Sequence, residues 1–202
     1  GGAALPGCTH RVSGDRIVCA TYLCAAAAAG GEVRLTGVDY RAVSTVALSL
    51  AESGCEVRSE ADAVSLRSTG ALRSVRPVRT APYPGFPTDA QPVLMAALLR
   101  SEGCTVFVEN IFENRYRHVD ELSRMGAEIR VAGRVAVVNG VRTLHGAAVK
   151  CTDLRGGAAL VIAGLSAEGT TRVTELTHID RGYDAIERDL AALGAQIRRE
   201  TT

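Results

Sequence analysis

The segment TAPYPGFPTDAQP, residues 80–92, places a single carboxylate in a proline-rich loop. Its one acid is Asp89, and the segment holds four of the chain's six prolines: Pro82, Pro84, Pro87 and Pro92. Because proline restricts its own backbone and that of the residue before it, the loop fixes the carboxylate before any ligand binds. A fixed carboxylate can act as a general base, or it can cap the helix that the next residues predict.

Three arginines recur near the starts of later helices or loops, each close to an acid or a glycine. They are Arg115 in FENRYRHVDELSRMGA, Arg155 in TDLRGG and Arg181 in THIDRGYD. Converging guanidinium groups can bind phosphate and carboxylate in a bidentate manner, whereas most surface arginines make only weak, screened pairs. Spacing along the chain leaves both interpretations open.

Other residue types that could bind metals or nucleotides show no supporting pattern. His118 and His178 have neither HExxH spacing nor a cysteine partner, so they are interpreted as packing or hydrogen-bonding residues. The glycine pairs of AGG and RGG lack the GxxxxGK[ST] and GxGxxG arrangements, which argues against a nucleoside triphosphate site. The six cysteines form no CxxC pair and indicate reduced thiols rather than disulfides or zinc. No metal and no cofactor is expected.

Composition limits the classes of protein to consider. The 202 residues, 47% of them hydrophobic, can bury the core of one large domain or two small ones. With 23 basic and 22 acidic side chains, no overall charge attracts nucleic acid or an anionic membrane. The most apolar run, residues 23–29, is far shorter than the ~20 residues of a spanning helix. A cytoplasmic protein is predicted, and the lack of an initiator methionine suggests part of a longer polypeptide.

The elements that must position these residues follow a threefold internal repeat. Each unit has an aspartate, then small and aliphatic residues at helical density, then a glycine and a β-rich run. The aspartates, interpreted as helix caps, are Asp15, Asp89 and Asp153, and the glycines that close the helices are Gly31, Gly103 and Gly169. Equivalent loops of repeated units emerge at one end of a domain, which favours convergence of the arginines.

A second helix, a glycine and a short strand complete each unit. The closing glycines, Gly54, Gly126 and Gly194, lie about 70 residues apart. We therefore predict one domain over residues 1–202, with repeats at about 10–70, 71–140 and 141–202. The first helices are apolar nearly all round and belong inside. The predicted fold class is mixed α/β: an inside-out, barrel-like domain of three pseudo-repeats, with buried helices surrounded by small sheets. The alternative is an open sheet covered by helices on one side.

Four motifs in this chain resemble a known family of enzymes. APYPGFPTDAQ, ENRYRHVDELSRMGAEI, TDLRGGAALVIAGLSAEGTT and HIDRGYDAIERDLAALGA are similar to the carboxy-terminal half of the UDP-N-acetylglucosamine 1-carboxyvinyltransferases, which are enolpyruvyl transferases. The resemblance runs from about Gly7 onward. It implies transfer of an enolpyruvyl group from phosphoenolpyruvate to the 3-hydroxyl of UDP-N-acetylglucosamine, with release of phosphate. That reaction is the first committed step of peptidoglycan synthesis and serves cell wall biogenesis, cell shape and the cell cycle.

The resemblance also implies roles for individual residues. It implies that Asp89 is the base that removes the proton of the sugar hydroxyl. It implies that Arg115, Arg155 and Arg181 bind the phosphate and carboxylate of phosphoenolpyruvate.

Three further residues are implied to bind substrate. Asp153 matches the acid that orients the arginines, Asp15 matches the acid of the family's PDRIE motif, and Ile111 matches the residue whose main chain meets the amino sugar. The implied fold is a clamp of two similar domains, each with helices inside and sheets outside. The partner of this chain would be an amino-terminal domain that carries the general acid, so the isolated chain is expected to be inactive.

The chain departs from the family in one motif, because it reads GDRIVCAT where PDRIEAGT or PDRIETGT is usual. Val18 replaces a carboxylate and Ala20 replaces a glycine. These differences leave two alternatives open: an enolpyruvyl transferase with another acceptor, such as shikimate 3-phosphate or a nucleotide, or a non-catalytic remnant that binds an anion.

Overall fold

The computed structural model describes residue 2 and residues 6–200, so the outermost predicted bounds, at 1 and 202, lie outside the described residues. In chain order the helices are α1 Arg16–Ala29, α2 Tyr40–Glu52, α3 Gln91–Ala97, α4 Val119–Arg124, α5 Leu154–Leu165, α6 Thr177–Asp180 and α7 Ile186–Ala192. The strands are β1 Gly31–Thr36, β2 Glu56–Ser59, β3 Ala63–Ser68, β4 Val78–Arg79, β5 Cys104–Val108, β6 Glu128–Ala132, β7 Val135–Asn139, β8 Ala148–Lys150 and β9 Arg172–Thr174. A 3-10 helix covers Thr88–Ala90.

The centre of the molecule is a bundle of α1, α3 and α5, which pack against one another. Every residue of α3 is buried, as are residues 156–163 of α5. A helix without a polar face must bury all of its sides, and three such helices achieve this by sharing one core. The predicted arrangement of buried helices surrounded by small sheets is confirmed.

Three separate small sheets surround this bundle. The first has the order β1-β3-β2 and is antiparallel; the second has the order β4-β5-β7-β6; the third pairs β8 with β9 in parallel. In the second sheet β4 runs parallel to β5, and the other pairs are antiparallel. Each sheet draws its strands from one predicted unit. The described strands do not close into a barrel, and the alternative of one open sheet is wrong.

The third unit lacks one predicted strand. Residues 195–200, which follow the left-handed Gly194, form no strand. In the first two units the strand after the second helix forms a hairpin with the next strand, as β2 does with β3 and β6 with β7. A strand is stable only with a hydrogen-bonded neighbour, and none of the described strands pairs with residues 195–200.

Two of the three predicted helix caps are present. Asp15 accepts hydrogen bonds from the backbone N–H groups of Ile17 and Val18 at the start of α1. Asp153 caps α5 in the same way.

The three glycines predicted to close the first helices are misplaced. Helix α1 ends at Ala29 and its C-cap is Gly30, whose φ of 79° suits glycine, while Gly31 already belongs to β1. The C-caps of α3 and α5 are Leu98 and Ser166, so Gly103 and Gly169 lie beyond the helix ends. No helix of the described residues is long and apolar enough to cross a membrane.

Candidate active site

Asp89 lies in the 3-10 helix immediately before α3. Pro87 is the N-cap of this turn, and no side chain caps it. The interpretation of Asp89 as a helix cap is therefore wrong. Its carboxylate instead makes charge-assisted hydrogen bonds with two guanidinium groups, which are stronger than a hydrogen bond to a neutral backbone N–H.

The two guanidinium groups approach Asp89 from different parts of the chain. Arg115 Nη2 lies 2.9 Å from Oδ1 of Asp89, and Arg155 Nη2 lies 3.3 Å from Oδ2. The side chains of Arg115 and Arg155 are 13% and 12% exposed, whereas that of Asp89 is 41% exposed. The open side of this cluster is therefore the carboxylate, with the two cations behind it.

Arg115 is held by the same loop that carries Asp89. Its Nη2 atom also donates to the carbonyl oxygen of Thr88 at 3.0 Å, and its guanidinium group lies 5.5 Å from the centre of the Phe112 ring. These contacts fix the guanidinium plane on two sides.

Arg155 links the other two repeat units to the site. Its Nη1 atom donates to the hydroxyl of Tyr183 at 3.2 Å, and its guanidinium group lies 5.7 Å from the centre of that ring. The Tyr183 hydroxyl is 2.8 Å from Oγ1 of Thr21 in α1. Burial raises the pKa of Tyr183, so its hydroxyl stays protonated and available for these contacts. One hydrogen-bonded chain thus joins all three units.

The two capping aspartates have different relations to this cluster. Asp153 accepts from the backbone N–H groups of Arg155 and Gly156 at 3.0 and 2.9 Å, so it orients the first turn of α5, on which Arg155 lies. Asp15 caps α1, and within the described residues its carboxylate contacts neither Asp89 nor the two arginines.

Arg181 is not brought into contact with Asp89. It is exposed at the carboxy-terminal end of α6, and no hydrogen bond or ion pair joins it to another described side chain. Burial raises the pKa of the Cys151 thiol to about 11, and the nearby charge of Arg181 opposes that rise. Arg181 therefore lies near β8, beside the end of α5 that carries Asp153.

Ile111 and Asp89 share a pocket of about 390 Å³. Ile111 is 39% exposed and Phe112 is 50% exposed at its wall. The rest of the lining comes from the proline-rich loop, from α2 and from Arg16, whose guanidinium group lies 5.8 Å from the centre of the Tyr83 ring. The pocket is large enough for a sugar-sized group, with the Asp89 carboxylate on its surface.

His118 packs in the interior behind this site. It is completely buried, burial lowers its pKa to about 4, and neither ring nitrogen has a hydrogen-bond partner among the described residues. The packing interpretation holds for His118, and the hydrogen-bonding one does not. Within the described residues no group of three or more His, Cys, Asp or Glu side chains is placed to hold a metal ion.

The two residues that differ from the family motif, Val18 and Ala20, both pack against apolar neighbours. Val18 is half-buried and packs against the core, and Ala20 is completely buried in α1.

Two residues near the site were missed by the sequence analysis. Tyr183 lies in the HIDRGY motif, two positions after Arg181. Glu109 is a fully buried acid that follows β5 and contacts both loops of the pocket. An acid directly after the apolar run TVFV was the available signal.

The fold and the arrangement of this site define a class of protein. The enolpyruvyl transferase NikO from Streptomyces tendae has a similar structure, with a TM-score of 0.81 and 30% identity over 93% of this chain and 44% of that chain. EPSP synthase from Acinetobacter baumannii, at 22% identity and a TM-score of 0.73, shares the fold. The family model of EPSP synthase (3-phosphoshikimate 1-carboxyvinyltransferase) matches residues 1–190. The chain belongs to this family of enolpyruvyl transferases.

Within this family the curated relatives carry a more particular name. A UDP-N-acetylglucosamine 1-carboxyvinyltransferase of Gluconacetobacter diazotrophicus is 52% identical over 97% of this chain, and one of Desulfofundulus thermocisternus is 51% identical over 97%. This similarity confirms the resemblance inferred from the motifs. The chain spans 46% of the first relative and 81% of the second.

Proposed function

We propose that this chain is the half of a UDP-N-acetylglucosamine 1-carboxyvinyltransferase that supplies the base and binds phosphoenolpyruvate. Residues 1–202 would form one domain, and a second, amino-terminal domain would close over the pocket. The enzyme would act in the cytoplasm, in the first committed step of peptidoglycan synthesis. The observation that carries the proposal is the position of Asp89, which faces the pocket with Arg115 and Arg155 directly behind it.

In this mechanism Asp89 accepts the proton of the 3-hydroxyl while that oxygen forms a bond to C2 of phosphoenolpyruvate. A general acid from the second domain protonates the C3 methylene, which gives a tetrahedral intermediate. The bond from C2 to the phosphate oxygen then breaks, C3 loses a proton, and phosphate leaves. Holding the base next to the hydroxyl replaces a collision of two molecules by a step within one complex.

The arginines would bind the anionic donor. A guanidinium group has five N–H donors, and Arg115 and Arg155 each use only part of theirs on neighbouring protein atoms. Fixed cations stabilise the charge that develops on the leaving phosphate, an effect of about 3 kcal/mol for a well-placed donor. Arg181 would have to reach this cluster by a movement of its exposed side chain.

A second candidate is an enolpyruvyl transferase with a different acceptor. The replacements at Val18 and Ala20 favour this possibility. The reaction and the donor would remain the same, and only the occupant of the pocket beside Ile111 would differ.

The test is an assay of phosphate release by the protein expressed from the complete reading frame. Phosphoenolpyruvate is supplied with UDP-N-acetylglucosamine, with shikimate 3-phosphate or with a nucleotide. Release only with the amino sugar supports the first proposal, and release only with another acceptor supports the second. Binding of phosphoenolpyruvate without release in any mixture would instead indicate a non-catalytic, anion-binding remnant. The 202-residue chain alone is expected to give no release.

A further inference from the structure

Glu109 is a buried acid with a full set of hydrogen bonds. It follows β5 directly and is 1% exposed. Its Oε1 atom accepts from the hydroxyl of Thr80 at 2.9 Å and from the backbone N–H groups of Ile111 at 2.8 Å and Phe112 at 3.0 Å. Its Oε2 atom accepts from the hydroxyl of Thr88 at 3.0 Å.

A carboxylate in this position needs a physical reason. Removing an ionised carboxylate from water costs several kcal/mol unless hydrogen bonds replace the lost hydration. All of the partners of Glu109 are neutral hydroxyl and backbone groups, and no arginine or lysine of the described residues forms an ion pair with it. An apolar side chain would avoid this cost but would leave the N–H groups of Ile111 and Phe112 without an acceptor, so the carboxylate does more than pack.

The four bonds join two of the segments that line the pocket. Thr88 is the neighbour of Asp89 in the proline-rich loop, and Ile111 belongs to the loop after β5. Thr80 strengthens the connection, because its hydroxyl also accepts from the backbone N–H of Asn110 at 2.8 Å. Glu109 therefore links the two loops from the interior, in addition to the bonds that Arg115 makes with Thr88 and Asp89.

We propose that Glu109 is a positioning residue that sets the separation between the Asp89 carboxylate and the backbone of Ile111. This separation determines where an acceptor hydroxyl lies relative to the base. The proposal rests on the proposed function, in which Asp89 is the base and Ile111 contacts the acceptor. Glu109 itself touches no substrate and acts through these two loops.

The substitution Glu109→Leu tests this role with a side chain of similar size. It removes both accepting oxygens and so breaks all four bonds, whereas the amide of glutamine would keep one oxygen and could donate to the hydroxyl of Thr88. Because a displacement of about 1 Å can lower a rate about 100-fold, we expect kcat to fall about 10-fold to 100-fold and KM for the acceptor to rise about tenfold. KM for phosphoenolpyruvate should rise less, because Arg155 keeps its bond to Tyr183, which does not involve Glu109.

Two further variants separate positioning from a loss of stability. Thr88→Val removes only the bond next to Asp89 and should reproduce the effect on kcat more than the effect on KM for the acceptor. The matched control is Thr105→Val, on the same strand, whose buried hydroxyl accepts from the backbone N–H of Val75 at 3.2 Å, away from the pocket. This control should lower stability by about 1 kcal/mol and leave both KM values unchanged.

Amide hydrogen exchange of the full-length protein supplies a readout that does not depend on turnover. In Glu109→Leu, which lacks an acceptor for them, the N–H groups of Ile111 and Phe112 should exchange at least about tenfold faster than in the wild type, and in Thr105→Val they should not. Unchanged exchange would overturn the positioning role. Faster exchange with equal rises in both KM values would overturn the link to the acceptor. A wild-type protein without turnover would reject the proposed function, while the exchange result would still decide whether Glu109 orders the two loops.

Discussion

The Nη2 atom of Arg115 lies 2.9 Å from the Oδ1 atom of Asp89, although the two residues are 26 positions apart in the chain. This contact joins the loop after β5 to the proline-rich loop, and the bond of Arg155 to the other oxygen of Asp89 adds the third unit. Because both arginines are largely buried, the single carboxylate partly neutralises two positive charges at the wall of the pocket. Substitutions at these residues should therefore affect binding, turnover and stability together.

Replacing Asp89 with asparagine should abolish most of the turnover. The amide keeps the shape of the side chain but cannot accept a proton, so the rate of phosphate release should fall at least about 100-fold. Stability should also decrease, because two buried cations lose their counter-charge. The measurements are phosphate release and thermal unfolding of the full-length protein. Asp184→Asn, at a highly exposed ion pair with Arg188, is the matched control and should change neither. Turnover of the Asp89 variant within about threefold of the wild type would remove Asp89 as the base.

Arg155→Lys should weaken binding of the donor. A lysine keeps the positive charge but loses the planar fork that contacts Asp89 and Tyr183 at once. We expect KM for phosphoenolpyruvate to rise about tenfold to 100-fold, with a smaller change in KM for the acceptor. Steady-state kinetics with each substrate varied in turn gives both values. Arg188→Lys serves as the exposed control. A larger effect on the acceptor than on the donor would contradict the assignment of Arg155.

The buried His118 should make the protein less stable in mild acid. Its pKa is about 4 in the folded state, below the usual value of 6.5, because burial disfavours the charged ring. The unfolded chain therefore binds more protons between these two values, and stability is lost as the pH falls through this window. We expect a loss of about 2 kcal/mol between about pH 7.5 and pH 5 from this residue alone.

Urea denaturation at several pH values checks this expectation. In His118→Leu the part of the pH dependence that falls between about pH 6.5 and pH 4 should become smaller. An equal slope in the variant and the wild type would show that other groups cause the acid sensitivity.

Gly157→Ala should destabilise the start of α5, which carries Arg155. A Cβ atom at this position would overlap Sγ of Cys151 and lie 2.7 Å from Cγ1 of Ile179. We expect a loss of about 3 kcal/mol, measured by urea denaturation. The double variant with Cys151→Ala removes the sulfur and should recover part of this loss, which a double-mutant cycle would quantify. Strictly additive effects would contradict the overlap. Gly7→Ala, with nothing near its Cβ and no left-handed φ, is the control and should change stability little.

The sequence by itself determined which segments form the buried helices and where two of them begin. Three such features are properties of short segments: apolar residues at helical spacing, the caps at Asp15 and Asp153, and left-handed glycines such as Gly194. Such features can be recognised without knowing what lies next to them, because propensity and periodicity act within a few residues. The proline-rich loop around Asp89 was visible for the same reason.

Only the tertiary structure decided the contacts between the units. Asp89 pairs with arginines 26 and 66 positions away, Arg181 stays apart from them, and Glu109 is buried between two loops. Residues 195–200 form no strand because pairing depends on a neighbour elsewhere in the fold. These outcomes follow from packing between segments that are distant in the chain. Packing sets the distance between two side chains, their burial and the charges beside them, and the spacing of residues along the chain does not reveal these quantities.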